Sequence, residues 1–113
     1  MPVRGLTIIV AGAEGDRLRA ALTMACAAAA LGARARVYLH EAAVAGFAAD
    51  APAPAGQPTL GELRGIAAES GVETIACQSG LALAGLAADA IGVSGGGMIE
   101  LLATLSDDRL VVA

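Results

Sequence analysis

Short, wholly apolar segments alternate along the chain with longer segments in which apolar residues recur at helical spacing. The first apolar run, residues 3–11, is rich in β-branched side chains, which is typical of a strand buried on both faces of a sheet. Shorter runs of the same kind follow as far as the end of the sequence. The predicted strands are residues 3–11, 35–39, 72–76, a very short strand at Val93, and residues 109–112.

Helical periodicity occupies the intervals between these strands. Residues 17–31 carry apolar side chains on two faces, which would allow neighbours to cover both, and Asp16 is the expected N-cap. Residues 59–62 form a capping box that begins a helix ending near residue 70. Further short helices are predicted at residues 42–48, from a cap at Ser79 to residue 86, and at residues 98–105.

The alternation of strands and helices requires crossover connections, which give a mainly parallel sheet with helices on both faces. The predicted fold is therefore a single α/β domain over residues 1–113, a three-layer α/β/α sandwich around a mainly parallel five-stranded sheet. Residues 49–58, rich in proline and alanine, are predicted to form a surface loop. Ligands in such sheets bind beyond the carboxyl ends of the strands, so the candidate site is built from four loops. These loops are residues 12–16, 40–44, 77–79 and 94–97.

Composition removes several classes of function. The net charge is −4 and all seven basic residues are scattered arginines, so the basic stripe of a nucleic-acid-binding protein is missing. The longest apolar run, residues 20–33, is too short to span a bilayer. Two cysteines far apart in the sequence do not make a disulfide framework, which favours the cytoplasm. Because alanine dominates and buries little area per residue, we expect further burial between subunits of an oligomer.

Cys77 is the strongest candidate for chemistry. It lies where a strand ends and a helix begins, so unpaired backbone N–H groups and the helix dipole favour its thiolate, the nucleophilic form. The residues that follow, Gln78, Ser79 and Gly80, are small or polar and suit an accessible loop. The alternative is a buried, inert cysteine, and position alone leaves both interpretations open. Cys26, inside the alanine-rich helix, is expected to pack in the core.

His40 is the only histidine and ends the second predicted strand, at the same edge of the sheet as Cys77. A histidine there can act as a base or as a proton donor to a sulfur leaving group; a capping or surface role is the alternative. If the first strand lies between the two residues, about 10 Å separates them, too far for contact without loop movement. One histidine and one exposed cysteine fall short of a metal-ligand set, so neither a metal nor a cofactor is expected.

Two glycine-containing loops lie at the same predicted edge. The loop that begins at Gly12 lacks the spacing of a phosphate-binding loop, and Glu14 and Asp16 would repel an anion. Residues 95–97, Gly-Gly-Gly, make the better anion cradle because their N–H groups open a helix, and a flexible turn is the alternative. The candidate pocket residues around Cys77 are Gly12, His40, Gln78, Ser79, Gly95, Gly96 and Gly97.

A capped helix, a Gly-Val pair, a strand and a cysteine follow one another in PTLGELRGIAAESGVETIACQSGLALAGL. A glycine-rich start to the last helix comes later, in GVSGGGMIELLATLSDDRLVVA. In this order and spacing, the chain resembles the DsrE/DsrF-like family of small sulfur-handling proteins. The resemblance covers nearly the whole chain except residues 49–58.

The resemblance implies a doubly wound sheet and an oligomer, with trimer-based assemblies common in the family. It also implies that Cys77, at the position of the family's cysteine, carries sulfane sulfur as a persulfide between a sulfur donor and an acceptor protein. The expected function is therefore that of a sulfur carrier or sulfurtransferase. The alternative is a non-catalytic oligomeric module that binds a small ligand in a pocket lined by Cys77.

Overall fold

Strands and helices alternate in the computed structural model, which describes residues 3–49 and 52–113. Residues 50 and 51 of the predicted loop at 49–58 lie outside the described residues. A single 3₁₀ turn, Ala88–Ile91, precedes the fourth strand within the described chain. The elements in chain order are β1 (Leu6–Ala11), α1 (Gly15–Ala30), β2 (Ala35–His40), α2 (Ala42–Ala48), α3 (Leu60–Glu69), β3 (Glu73–Ala76), α4 (Gln78–Ala84), β4 (Ser94–Gly95), α5 (Met98–Ala103) and β5 (Arg109–Val112).

The five strands form one parallel sheet in the order β4-β3-β2-β1-β5. From β1 to β4 the chain advances in one direction across the sheet, and it then returns to add β5 on the other side of β1. Right-handed crossovers therefore place α1 to α4 on one face and α5 alone on the other. This arrangement confirms the predicted three-layer α/β/α fold.

The larger core lies between the sheet and α1 to α4. Ile8, Val10, Val37 and Leu39 supply its strand side, and apolar side chains of the four helices complete it. Cys26 packs against this core and is half-buried. The described residues leave the second predicted apolar face of α1 uncovered, since its larger side chains, those of Met24 and Leu31, are exposed. The larger core therefore accounts for the apolar side chains on one face of α1 and not for those on the other.

A smaller apolar cluster occupies the opposite face of the sheet, under α5. Its buried members are Ile9, Tyr38, Cys77 and Leu101, and Ile75 and Met98 pack against them. Because α5 has six residues, it covers little of this face. Two apolar side chains of the edge strand β5, those of Leu110 and Val112, stay exposed.

A buried polar network ties β5 and α5 to the amino-terminal edge of the sheet. The Asp108 carboxylate, before β5, accepts hydrogen bonds from Thr7 Oγ1 at 2.8 Å and from Arg34 Nη2 at 2.8 Å. The buried Arg36 guanidinium donates to Thr7 Oγ1 at 3.1 Å and to Thr104 Oγ1 at 2.8 Å. These bonds hold the turn between α5 and β5 against β1 and β2.

Several predicted boundaries were wrong by a few residues. The N-cap of α1 is Glu14 rather than Asp16, and the N-cap of α4 is Cys77 rather than Ser79. The fourth strand is Ser94–Gly95 rather than Val93, because its pairing with β3 starts at Ser94 opposite Ile75. The capping box of α3 is confirmed: the Glu62 N–H donates to Thr59 Oγ1, and the Thr59 N–H donates to the Glu62 carboxylate.

Within residues 3–49 and 52–113, none of the helices has the length and apolar character that a bilayer crossing requires.

Candidate functional site

Cys77 lies at the carboxyl end of β3, on the face of the sheet that α5 covers. Its N–H donates to the carbonyl of Leu39 at 3.1 Å, so the hydrogen bonds between β2 and β3 continue as far as this residue. Its neighbour Ala76 packs in the larger core, while Cys77 belongs to the smaller cluster. The residue is 7% exposed, so the thiol lies just beneath the surface rather than in an open loop.

Two backbone N–H groups from different elements donate to the sulfur of Cys77. The Glu41 nitrogen, after β2, lies 3.0 Å from Sγ, and the Gly80 nitrogen, in α4, lies 3.2 Å from it. A thiolate or persulfide anion gains more from such donors than a neutral thiol does, because hydrogen bonds to charged acceptors are stronger. The pair of donors therefore favours the anionic form of the sulfur.

Close packing of the backbone makes this pair of donors possible. A side chain at Gly80 would begin 2.7 Å from the Glu41 carbonyl oxygen and 2.5 Å from Val44 Cγ2, so only glycine fits there. Glu41 itself has φ 49° and ψ −111°, a conformation that residues with a side chain rarely adopt. Strain of this kind is found where a site holds a backbone group in a required direction. Here the strained residue is one of the two donors to Cys77.

His40 lies much closer to Cys77 than the separation considered from the sequence. That separation, two strand spacings, assumed that β1 lies between them, whereas β2 is directly beside β3. The register pairs Leu39 with Ala76, and one further residue places His40 opposite Cys77, a single strand spacing of about 4.8 Å. Tyr38, two residues before His40, and Ile75, two residues before Cys77, both belong to the smaller cluster. Because alternate side chains of a strand point to the same face, His40 and Cys77 share that face of the sheet.

Tyr38 connects this part of the site to the glycine-rich loop. Its hydroxyl donates a weak hydrogen bond to the Gly96 carbonyl at 3.4 Å, and its ring lies 6.5 Å from the His40 ring. Burial is the larger cause of the raised pKa of Tyr38, and the negative charge of Cys77 raises this pKa further.

The predicted glycine loop lines a cavity of about 210 Å³ on the same face. Gly95, Gly96 and Gly97 form one wall, and Arg36, Glu73 and Glu100 supply its charged groups. Cys77 is not in this wall, although Ile75 and Leu101 belong both to the wall and to the cluster around Cys77. The cavity therefore adjoins the cysteine without containing it.

The remaining predicted pocket residues are more dispersed. Gln78 and Ser79 begin α4 and are exposed, and the Gln78 amide lies against the backbone of Gly95. Gly12 follows β1, one strand farther from Cys77 than His40, and its nearest side chain is the carboxylate of Glu14. In residues 3–49 and 52–113, no three histidine, cysteine or acidic side chains are close enough together to hold a metal ion.

Sequence reasoning missed the residues that act on Cys77 through the backbone or through burial. Gly80 had a usable signal, since it is the third residue after a cysteine at a helix start and small enough for close approach. Glu41 had none, because every residue except proline has an N–H and the strained backbone appears only in the fold. The sequence pattern around Tyr38 indicates only an ordinary core residue of a buried strand.

Comparison with known proteins places this geometry in a family. The DsrE/DsrF-like family model matches residues 5–113. The chain belongs to the DsrE/DsrF-like family. This DsrE/DsrF-like chain is also similar in structure to the ychN protein from E. coli, with a TM-score of 0.67 and 21% sequence identity, over 96% of this chain and 99% of that one. None of the curated proteins matches the chain. Members of the family are generally oligomeric, and the family indicates a role in sulfur relay in general terms.

Proposed function

We propose that this protein carries sulfane sulfur as a persulfide on Cys77 and passes it to an acceptor thiol. The observation that carries the proposal is the pair of N–H donors on Sγ, from Glu41 at 3.0 Å and Gly80 at 3.2 Å. A cysteine buried only for packing needs no such donors, whereas a nucleophilic thiolate does. Membership of the DsrE/DsrF-like family supports the same chemistry.

The transfer needs no external oxidant or reductant. The Cys77 thiolate attacks the terminal sulfur of a donor persulfide, R–S–SH, and forms a new S–S bond. The bond between the donor's two sulfurs breaks, and R–S⁻ leaves with the electron pair. In the second step an acceptor thiolate attacks the outer sulfur of the Cys77 persulfide, and the Cys77 thiolate leaves. Sulfur and charge are conserved in both steps.

Access to the sulfur restricts the partners. Since Cys77 is 7% exposed, a donor or acceptor has to bring its sulfur to the carboxyl edge of the sheet. A small persulfide or a cysteine on a mobile segment of a donor or acceptor protein meets that condition. The reaction also requires free thiols, as both cysteines are in this chain, so we place it in the reducing cytoplasm.

Mass spectrometry of the intact protein after incubation with glutathione persulfide tests the proposal. We expect the wild type to gain the mass of one sulfur atom and to lose it on addition of excess thiol. Cys77→Ser should gain none, whereas Cys26→Ser, the matched control, should gain it as the wild type does. A wild type that stays unmodified, or a sulfur that stays on Cys77→Ser, would show that Cys77 is not a carrier.

A second candidate function is the binding of a small molecule, which the cavity beside Gly95–Gly97 favours. Its glycine wall offers backbone groups, while the carboxylates of Glu73 and Glu100 favour a ligand with a hydrogen-bond donor or positive charge. In this case Cys77 would be a neighbour of the pocket rather than part of its lining. Unmodified Cys77 in the persulfide experiment, together with a thiol that reagents fail to reach, would favour this function.

We also propose that the exposed face beside α5 binds a second copy of this chain. Leu110 and Val112 on β5 lie beside Thr7 and Ile9 of β1, on the face of the sheet that carries α5, and both are exposed. Ile99, in α5, is 88% exposed. Apolar side chains grouped on one face in this way are typical of an interface. The expected product is a homo-oligomer, and a trimer-based assembly is the form we propose.

A further inference from the structure

His40 and Cys77 are an ionisable pair at adjacent strand ends. The continued register of β2 and β3 places them opposite each other, with both side chains on the face that carries Tyr38. The Tyr38 and His40 rings are 6.5 Å apart, which keeps the imidazole beside the cluster that contains the sulfur. A base and a nucleophile are therefore neighbours at the carboxyl edge of the sheet.

The two nitrogens of His40 have different surroundings. Nε2 lies 3.0 Å from the Glu41 carboxylate, which favours the tautomer with its hydrogen on this nitrogen. Nδ1 is inaccessible to solvent and has no hydrogen-bond partner within the described chain. A carboxylate on Nε2 selects the tautomer in which Nδ1 has a free lone pair. In neutral His40, the buried nitrogen is thus the one that can accept a proton.

Glu41 acts on the site in two separate ways. Its backbone N–H donates to Cys77 Sγ at 3.0 Å, and its side chain pairs with His40 Nε2 at 3.0 Å. One strained residue, with φ 49°, therefore connects the histidine to the sulfur. Nucleophile, base and orienting carboxylate occur in this order in many sites that activate a thiol.

We infer that His40, oriented by Glu41, is the acid–base group of the sulfur transfer at Cys77. This inference rests on the proposed function. The Cys77 thiol gives its proton to His40 Nδ1, and the thiolate then attacks the donor R–S–SH. The leaving R–S⁻ takes that proton from the imidazolium and departs as R–SH. The sum is Cys77–SH plus R–S–SH giving Cys77–S–SH plus R–SH, with no net change in protons or electrons.

The other ionisable groups around His40 are few in the described residues. Tyr38 lies on its own strand, Cys77 on β3, and Glu41 immediately after it. The loop after β1 contributes Glu14, whose carboxylate lies beside Gly12, next to the residue that pairs with His40. Glu100, the one charged residue of α5, lines the cavity beyond Cys77. Of these groups, the Glu41 carboxylate is the one recorded within hydrogen-bond distance of the imidazole.

Titration of the Cys77 thiolate tests this inference without any need for sulfur transfer. The ultraviolet absorbance of the thiolate is followed against pH in Cys26→Ser/Tyr38→Phe, which has no phenolate, and the absorbance of the same variant with Cys77→Ser is subtracted. Adding His40→Gln should move the midpoint to higher pH by about one unit, because an opposite charge next to the thiolate is lost. Glu41→Gln, which keeps the backbone N–H, should move it in the same direction by less. Glu14→Gln is the matched control and should leave it in place.

Loading kinetics provide the second readout. From glutathione persulfide at pH 7, His40→Gln should gain sulfur at least about 10-fold more slowly than its parent and still reach the same final extent. If His40→Gln loses its circular dichroism signal, His40→Asn replaces it in both measurements. An unchanged midpoint and rate in the folded variant would overturn the role of His40 while leaving sulfur carriage by Cys77 intact. A wild type that gains no sulfur removes the proposed function, and the titration alone then decides whether His40 and Cys77 are coupled.

Discussion

At the scale of single residues, the sulfur of Cys77 is held by main-chain groups rather than by side chains. Both donors, the N–H groups of Glu41 and Gly80, persist through most substitutions of their neighbours. The side chains near the sulfur therefore have other tasks, which include tuning of charge. The electrostatic effect of Cys77 on Tyr38 can be measured on the tyrosine itself.

Cys77→Ser should lower the pKa of Tyr38. Burial is the larger cause of its raised pKa and stays in the variant, whereas the charge of the Cys77 thiolate is removed. The pKa should thus fall part of the way towards its ordinary value of about 10. The chain has one tyrosine and no tryptophan, so the phenolate absorbance in a pH titration reports Tyr38 alone. Cys26→Ser is the control, and a fall of the same size there would contradict the coupling.

The raised pKa of Tyr38 also predicts how stability depends on pH. A group whose pKa is higher in the folded state stabilises the fold fully below its unfolded pKa, about 10 for tyrosine, and loses this contribution as pH rises through the folded value. The free energy of unfolding, from urea titrations in the Cys26→Ser background, should therefore decline above about pH 10. Cys26 is removed because burial raises its pKa too. Tyr38→Phe should decline less steeply, and an identical slope would be the contrary result.

At the scale of elements, local patterns predicted what local interactions decide. The apolar runs located the strands, and Thr59 with Glu62 located the start of α3, because a capping box is complete within four residues. Asp16 and Ser79 were plausible caps, but the fold caps those helices two residues earlier, at Glu14 and Cys77. The position of a helix start then depends on where the preceding strand ends in the sheet.

The relation between His40 and Cys77 could not be predicted in the same way. The sequence placed both at the carboxyl edge of the sheet, but the distance between them depends on strand order. Strand order depends on which distant strands pair. The same apolar pattern is compatible with β3 beside β1 and with β3 beside β2. Only the fold, with β2 directly beside β3, brings the two residues together. The same holds for Asp108, whose partners come from distant positions in the chain.

Asp108→Ala should destabilise the protein strongly through the turn that precedes β5. Loss of the buried carboxylate removes the partner of Thr7 and Arg34, and the buried Arg36 guanidinium loses the carboxylate that lies 3.8 Å from it. We expect a loss of about 3 kcal/mol, the lower end for breaking a buried ion pair, because the Arg34 side chain is 45% exposed. Urea unfolding measures the difference. Asp107→Ala, an exposed neighbour, is the control, and equal losses in the two variants would show that the network contributes nothing special.

At the scale of the whole molecule, the two faces of the sheet are covered unequally. Four helices lie on one face, whereas the six residues of α5 lie on the other. Cys77 belongs to the sparsely covered face, together with the cavity and the exposed side chains of β5. A second copy that covers this face would therefore also border the site and restrict which donors reach the sulfur.

A carboxylate placed on the exposed face should dissociate the proposed oligomer. In Val112→Glu, a side chain that is 69% exposed in the single chain would bring an unpaired charge into the interface. Since burying such a charge costs several kcal/mol, the variant should sediment as a single chain of 11.0 kDa, where the wild type sediments as a multiple of it. Sedimentation equilibrium gives both masses, and a wild-type mass divisible by three chains agrees with a trimer-based assembly. Ile66→Glu, on α3 of the other face and also exposed, should keep the wild-type mass. A wild type that is already a single chain, or dissociation by Ile66→Glu but not by Val112→Glu, would place self-association elsewhere or remove it.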